Sequence, residues 1–141
     1  MANTQAISSS FKGEVLNGIH ALGTHTIKGV LYNASATINA ATVNYSATGE
    51  VSANGSYTAG GVALSVSNAT VDTTTGIWTP TANLVVTTFT AAGFDTMLLV
   101  NSSVSNKAIA NYNFGNQSIV NGTFTLTMPT NNASNALLRL A

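Results

Sequence analysis

The sequence of 141 residues contains no cysteine. Disulfide bonds, thiolate nucleophiles and zinc sites with cysteine ligands are therefore excluded. Because secreted domains of this size are often cross-linked, we expect either synthesis in a reducing cytosol or stabilisation by assembly. The first residues, "MANTQAISSSFKGE", lack a basic stretch followed by an apolar one, so no signal peptide is predicted.

Long apolar runs are also missing. The longest, Met97–Val100, is far shorter than the roughly 18 residues that a membrane-spanning helix needs. This pattern predicts that the protein has no membrane partner.

Charge is scarce: the chain has 4 basic and 4 acidic residues, so that 6% of its residues are charged and the formal net charge is zero. Soluble domains usually carry about a quarter charged residues. Copies of such a chain repel one another little, which favours a homo-oligomer. Because no basic stripe is present to meet a phosphate backbone, the sequence predicts no nucleic-acid partner.

Uncharged polar residues take the place of charge. Threonine, serine and asparagine number 21, 14 and 17. Their hydroxyl and amide groups must supply most of the polar surface, which indicates a surface suited to contact with other proteins.

The N-terminal segment has a helical pattern. Four apolar residues are spaced by four, four and three positions: Phe11, Val15, Ile19 and Leu22. Serines 8–10 can cap the start of this helix, and Gly23 suits its end. Gly13 and Gly18 each weaken it by about 1 kcal/mol relative to alanine, so it needs its own sheet or a neighbour to pack on. We interpret residues 1–25 as a helical docking segment within a single-domain protein.

After Gly23 the apolar period changes to two. In "GTFTLTMP", Phe124, Leu126 and Met128 are predicted to face a core, and the alternating threonines to face away from it. Thr96–Asn101 has the apolar middle of a central strand, with Lys107–Phe114 as its hairpin partner. About seven to nine short strands at spacings of about ten residues predict an all-β fold over residues 26–141, an antiparallel β-sandwich of jelly-roll or immunoglobulin-like type.

The residues that could carry chemistry form no recognisable pattern. The four acids are far apart in the sequence: Glu14, Glu50, Asp72 and Asp95. His20 and His25 are five positions apart, which does not align two ligands on a helix. No Walker loop, dinucleotide fingerprint or nucleophile elbow occurs. The sequence therefore predicts no catalytic, cofactor-binding or metal-binding residue, and no enzyme.

The aromatic residues allow one binding hypothesis. Trp78 with Tyr45, Tyr57 and Tyr112 could form a platform on which a sugar ring stacks. A single tryptophan on a strand is more often an anchor in a core or an interface. If Trp78 lies at an interface, binding energy should concentrate there.

Two long stretches resemble a known group of proteins. "SSSFKGEVLNGIHAL" followed by "GVLYNASATINAATVNYSATGEVSANGSYTAGGVAL" is similar to the opening of small virion proteins of tailed bacteriophages. "LLVNSSVSNKAIANYNFGNQSIVNGTFTLTMP" is similar to their closing strands. The resemblance covers most of the chain, although each motif is short.

The resemblance implies a structural component of a phage particle, made in the bacterial cytoplasm and located in the virion in many copies. It brings no catalytic residues. The first hypothesis is a capsid decoration or cement protein that oligomerises and binds the major capsid protein. A tail fibre or baseplate adaptor that contacts tail proteins is the second, and a carbohydrate-binding module for host attachment is the third.

The predicted contact residues come from the helix stripe, the single tryptophan and the exposed threonine face. They are Phe11, Val15, Ile19, Trp78, Thr123, Thr125 and Thr127.

Overall fold

The computed structural model describes residues 3–141, so the first two residues of the predicted docking segment lie outside it. This part of the chain forms one α-helix, α1 (Ser9–Leu16), and a short 3-10 helix (Ser102–Val104). Eight strands are formed: β1 (Ala6–Ile7), β2 (Ile27–Asn33), β3 (Val62–Ala63), β4 (Thr70–Asp72), β5 (Thr75–Trp78), β6 (Leu84–Asn101), β7 (Lys107–Leu126) and β8 (Leu138–Leu140).

The strands belong to two antiparallel sheets. The larger sheet has the order β1-β7-β6-β2-β3, and the smaller has the order β4-β5-β8. Neither sheet closes on itself within residues 3–141. The predicted class, antiparallel β with one short N-terminal helix, is confirmed.

The larger sheet is built around one long hairpin. β6 and β7, of 18 and 20 residues, pair from Asn101 opposite Lys107 to Leu84 opposite Leu126. The predicted pairing of these two segments is therefore confirmed, but each strand is far longer than the sequence indicated. Gly115, at φ 84°, lies within a shift of register, so β7 bends there and continues where a turn or bulge was expected.

Side chains on both faces of the central strands are buried. On one face, Val30, Leu98 and Val100 pack under the segment 34–61, which we call the covering loop. On the other face, Leu31, Met97 and Leu99 join a larger core with residues of the smaller sheet. All six residues of Thr96–Asn101 are buried, as expected for a central strand without polar alternation.

The covering loop is fixed by Glu50. The Glu50 carboxylate accepts hydrogen bonds from the Tyr45 hydroxyl (2.6 Å), the Tyr57 hydroxyl (2.9 Å) and the Gly60 amide (2.8 Å). The bond to Glu50, together with burial, raises the pKa of Tyr45 to about 12. The Tyr57 hydroxyl also accepts from the Leu31 amide (3.0 Å), which ties the loop to β2. Glu50 and the end of the covering loop, residues 57–61, therefore belong to one hydrogen-bonded network.

Close approach of the backbone explains why residue 61 is glycine. Gly61 has φ 94°, and a Cβ atom there would lie 2.6 Å from the Gly29 carbonyl oxygen of β2. Only glycine fits both the left-handed conformation and this contact.

The helix is shorter than the stripe of apolar residues predicted. It ends at Leu16 because Gly18 turns left-handed at φ 70°. The Ile19 amide then donates to the Glu14 carbonyl (3.0 Å) and the Gly18 amide to the Val15 carbonyl (3.2 Å), a Schellman ending. The predicted end at Gly23 is therefore wrong, and Ile19 lies outside the helix.

The start of the helix also differs from expectation. Ser8 is the N-cap residue, but its side chain makes no capping hydrogen bond. The Ser8 amide instead donates to the Ile109 carbonyl of β7 (2.9 Å), and Phe11 is buried in the core. The helix thus packs on its own sheet. No helix of residues 3–141 is both long and apolar enough to cross a bilayer.

We predict that Tyr57→Phe lowers the free energy of unfolding by about 1–3 kcal/mol, because it leaves the buried Leu31 amide without its acceptor. Tyr45→Phe is the matched control, since Tyr45 is only half-buried and its hydroxyl bonds Glu50 alone. Urea denaturation of the three proteins measures the difference. Equal losses in the two variants would contradict the role given to the Leu31 contact.

Candidate functional site

An open groove of about 390 Å³ lies between α1 and the smaller sheet. Its lining is almost entirely apolar. The N-terminal segment contributes Ile7, Phe11, Lys12, Val15, Leu16 and Leu22, and the region of the smaller sheet contributes Ala69, Gly76, Ile77, Trp78, Leu138, Arg139 and Leu140.

The helix wall consists of two neighbouring rows of side chains at i and i+4. Phe11 and Val15 form the inner row, in which Phe11 is buried and Val15 is half-buried. Lys12 and Leu16 form the outer row, and Leu16 is 81% exposed. The helix therefore buries one apolar row in the core and leaves the next apolar residue at the rim of the groove.

The sheet wall continues an apolar face from the core into solvent. Trp78 pairs with Leu138, and both are buried. In the next row Gly76 pairs with Leu140 on one side and with Val71 on the other, so these three residues share the same face. Leu140 is 69% exposed and Val71 is 73% exposed. With no side chain at Gly76, this row forms a shallow apolar surface at the edge of the core.

The predicted contact residues fall into separate places. Phe11, Val15 and Trp78 line the groove. Trp78 is only 2% exposed, and its indole N–H donates to the Ser67 carbonyl (2.9 Å), so it belongs to the groove floor and is not an exposed anchor. Ile19 is half-buried beyond the helix and does not line the groove.

The threonine face lies apart from the groove. Thr123, Thr125 and Thr127 are all exposed, while Phe124 between them is buried. The predicted alternation of this stretch is confirmed, and the contact role of its threonines stays a prediction.

The aromatic residues of the suggested sugar platform do not form one exposed surface. Trp78 and Tyr57 are buried. The Tyr45 hydroxyl is bound to Glu50, and the Tyr112 hydroxyl donates to the Leu137 carbonyl (2.7 Å). Since a stacked sugar needs an exposed ring face, this set of residues does not supply the platform.

A polar cluster holds the end of α1 beside the groove. Glu14 accepts from Lys107 (2.7 Å) and from His20 Nε2 (2.9 Å). The Asn101 amide donates to Nδ1 of His20 (3.1 Å) and of His25 (2.9 Å). Because Nδ1 of His20 accepts from the Asn101 amide, the Nε2–H group of His20 is the donor to Glu14. Burial opposes ionisation of Glu14, but the bonds from His20 and Lys107 hold its pKa below 4.5.

The sequence pattern did not reveal this cluster, because its members are distant along the chain. His20 and His25 meet at Asn101, which lies at the end of β6. No group of three histidine, aspartate or glutamate side chains in the described part of the chain is arranged to hold a metal ion.

The remaining carboxylates are also engaged within the fold. Asp95 accepts from Asn3 (2.7 Å) and Thr96 (2.8 Å), and Asp72 accepts from the Ala133 amide (2.7 Å). Glu50 and Asp95 thus belong to different networks. Each acid fixes a connection between segments.

Most of the lysine and arginine side chains form no ion pair in the described part of the chain. Lys107 pairs with Glu14, whereas Lys12, Lys28 and Arg139 form no ion pair among residues 3–141. Two of these three cations, Lys12 and Arg139, line the groove, and no acidic residue does. The groove is therefore apolar with a positive surround.

Several groove residues were missed by the sequence interpretation. Leu16 lies outside the predicted apolar stripe, and Leu140 lies in the closing "ALLRL". The alternation of Leu138, Arg139 and Leu140 was a signal for a strand, but nothing local showed that it pairs with β5.

Comparison of the chain with protein-family models, with curated proteins and with solved structures finds no match. Functional inference therefore depends on the groove, on the charge distribution and on the motifs quoted above.

We predict that Glu14→Gln destabilises the protein at pH 7 by about 1–3 kcal/mol, because two charge-assisted hydrogen bonds are lost. The pKa of Glu14 is lower in the folded state, so its contribution is present above its ordinary value of 4.5. That contribution disappears as the pH falls through the folded pKa. The difference between wild type and variant should therefore shrink in acid.

Urea denaturation at a series of pH values from neutral to strongly acidic measures this difference. Asp72→Asn serves as a control, because Asp72 lies in another network. A gap between wild type and Glu14→Gln that stays constant with pH would contradict the assignment.

Proposed function

We propose that this chain is a non-enzymatic structural protein of a tailed-bacteriophage particle and that it docks on neighbouring proteins through the groove. The observation that carries the proposal is the apolar face that runs from buried Trp78 and Leu138 to exposed Leu140, with exposed Leu16 opposite. Contiguous apolar surface of this kind is typical of interaction sites.

The gain from covering these residues is substantial. Full burial of a leucine side chain contributes about 1.5–3 kcal/mol, so Leu16 and Leu140 together could supply several kcal/mol. Association also costs translational and rotational freedom, which limits the affinity of one contact. A protein present in many copies on a particle benefits from repeating such a contact.

The two sheets share one hydrophobic core. Trp78 and Leu138 of the smaller sheet share one core with Leu31, Met97 and Leu99 of the larger sheet. We interpret this arrangement as an open β-sandwich. The sequence predicted a docking role for the whole of residues 1–25. In this proposal only the outer row of α1 docks on a neighbour, because the inner row packs in the protein's own core.

We place the protein on the capsid as a decoration or cement protein that oligomerises and bridges subunits of the major capsid protein. The resemblance to virion proteins and the weakly charged surface support this position. A tail fibre or baseplate adaptor would use the same groove against tail proteins. The virion would be its location after assembly in the bacterial cytoplasm.

Copy number separates the two positions. Particles purified from cells that produce the chain would be analysed by quantitative mass spectrometry against the major capsid protein. We expect hundreds of copies per particle. A copy number that matches one tail ring would indicate a position on the tail. Absence of the chain from purified particles would overturn the proposal.

We predict that Leu16→Asp with Leu140→Asp weakens binding to particles assembled without the chain by at least about tenfold. Both residues are exposed, so folding should be preserved, which circular dichroism checks. Val120→Asp is the matched control, because Val120 is 84% exposed and does not line the groove. Binding is measured by co-sedimentation with the particles.

If the double variant binds the particles as strongly as the wild type does, the groove is not the docking surface. Loss of binding by Val120→Asp alone would place that surface on the distal part of β7.

A further inference from the structure

The charges of the chain are unequally distributed around the groove. Each of its four carboxylates accepts at least two hydrogen bonds within the fold. Three of its four cations have no carboxylate partner in the described part of the chain. Glu50, Asp72 and Asp95 likewise form no ion pair there and keep their charge, but the residues that line the groove include two cations and no acid.

Two of the three cations without a carboxylate partner lie at the groove. Lys12 is one helical turn before Leu16, and Arg139 lies between Leu138 and Leu140 in β8. One guanidinium nitrogen of Arg139 donates to the Ser134 carbonyl (2.6 Å), which leaves its other N–H groups for a further acceptor. Lys12 therefore stands beside exposed Leu16 on the helix wall, whereas Arg139, the partner of Ile77, lines the groove from the side of β8 opposite to Leu138 and Leu140.

A second copy of the chain fits this pattern poorly. Its acidic side chains are engaged elsewhere, and a symmetric contact through the groove would bring Lys12 and Arg139 of both copies together. Like charges across an interface oppose association, whereas carboxylates would complement both walls.

We propose, on the basis of the docking function given above, that the groove binds a segment of a different protein in which acidic side chains flank apolar ones. The apolar side chains occupy the space between Leu16 and Leu140. The carboxylates pair with Lys12 and Arg139. The apolar contact supplies most of the affinity, and the charges select the partner.

A random dodecapeptide display library, selected on the full chain, tests this proposal. Selection on Leu16→Asp/Leu140→Asp in parallel identifies the peptides that need the groove. We expect the groove-dependent peptides to be enriched in leucine, isoleucine or phenylalanine together with aspartate or glutamate. Their affinities are then measured by fluorescence anisotropy.

Charge reversal provides the matched comparison. Lys12→Glu/Arg139→Glu should raise the Kd of an acidic groove-dependent peptide by about tenfold, because attraction is replaced by repulsion. Lys28→Glu changes a cation that does not line the groove and should leave the Kd unchanged. Replacing the acids of the peptide by their amides should weaken binding to wild type and strengthen binding to the reversed variant.

The outcomes separate this proposal from the docking function. Groove-dependent peptides without enrichment in acids would overturn the proposed partner chemistry and leave the docking function intact. If no groove-dependent peptide is recovered, both are contradicted. Self-association of the wild type that Leu16→Asp abolishes, measured by analytical ultracentrifugation, would overturn the proposal in favour of a second copy. If laurate binds more tightly than the peptides, so that it displaces them at a concentration lower than their own, the groove would instead be assigned to a small amphiphile.

Discussion

The burial of both faces of one sheet is the constraint on which the rest of the structure depends. β2 and the second half of β6 carry apolar side chains on both sides, so two separate covers are needed. The covering loop closes one side, where Glu50 and its tyrosine partners fix it. On the other side Val51 and Tyr57 of the same loop enter the core, and the rest of the cover is divided between α1 and the smaller sheet. The groove is the space that these two parts leave between them.

The scarcity of charge gives each acidic residue a structural task. Glu50 joins the covering loop to β2, Glu14 joins the helix to β7, and Asp72 joins β4 to the segment before β8. Because these carboxylates accept hydrogen bonds within the fold, the polar part of the outer surface consists mainly of threonine, serine and asparagine. Since such a surface supplies little repulsion, the proposed docking would draw its selectivity from shape and from the cations that line the groove.

Sequence patterns predicted the local features of the fold better than its long-range contacts. The alternation in "GTFTLTMP" and the apolar run before Asn101 were interpreted correctly, because each depends on a period or on burial within a few residues. The helix end was wrong, since Gly18 could be helical or left-handed and only tertiary packing decides between them. The polar cluster and the groove were not predictable, because His20 meets Asn101, and α1 faces β8, only after distant segments have folded together. The buried Trp78 shows the same limit: the sequence favoured an anchor in a core or an interface, but it did not reveal the partner Leu138.

The division of the second cover also explains why the groove can be a stable feature. Open apolar grooves tend to close when their walls can move together, because closure removes apolar surface from water. Here each wall is held from behind: α1 by the bonds of Glu14 to Lys107 and His20, and β8 by its pairing with β5 and by the bond from the Leu137 amide to Thr79. The walls are therefore fixed within the fold, and under the proposed docking function binding would not have to meet the entropic cost of ordering them. A preformed apolar groove on a weakly charged β protein is the feature on which the proposed docking function rests.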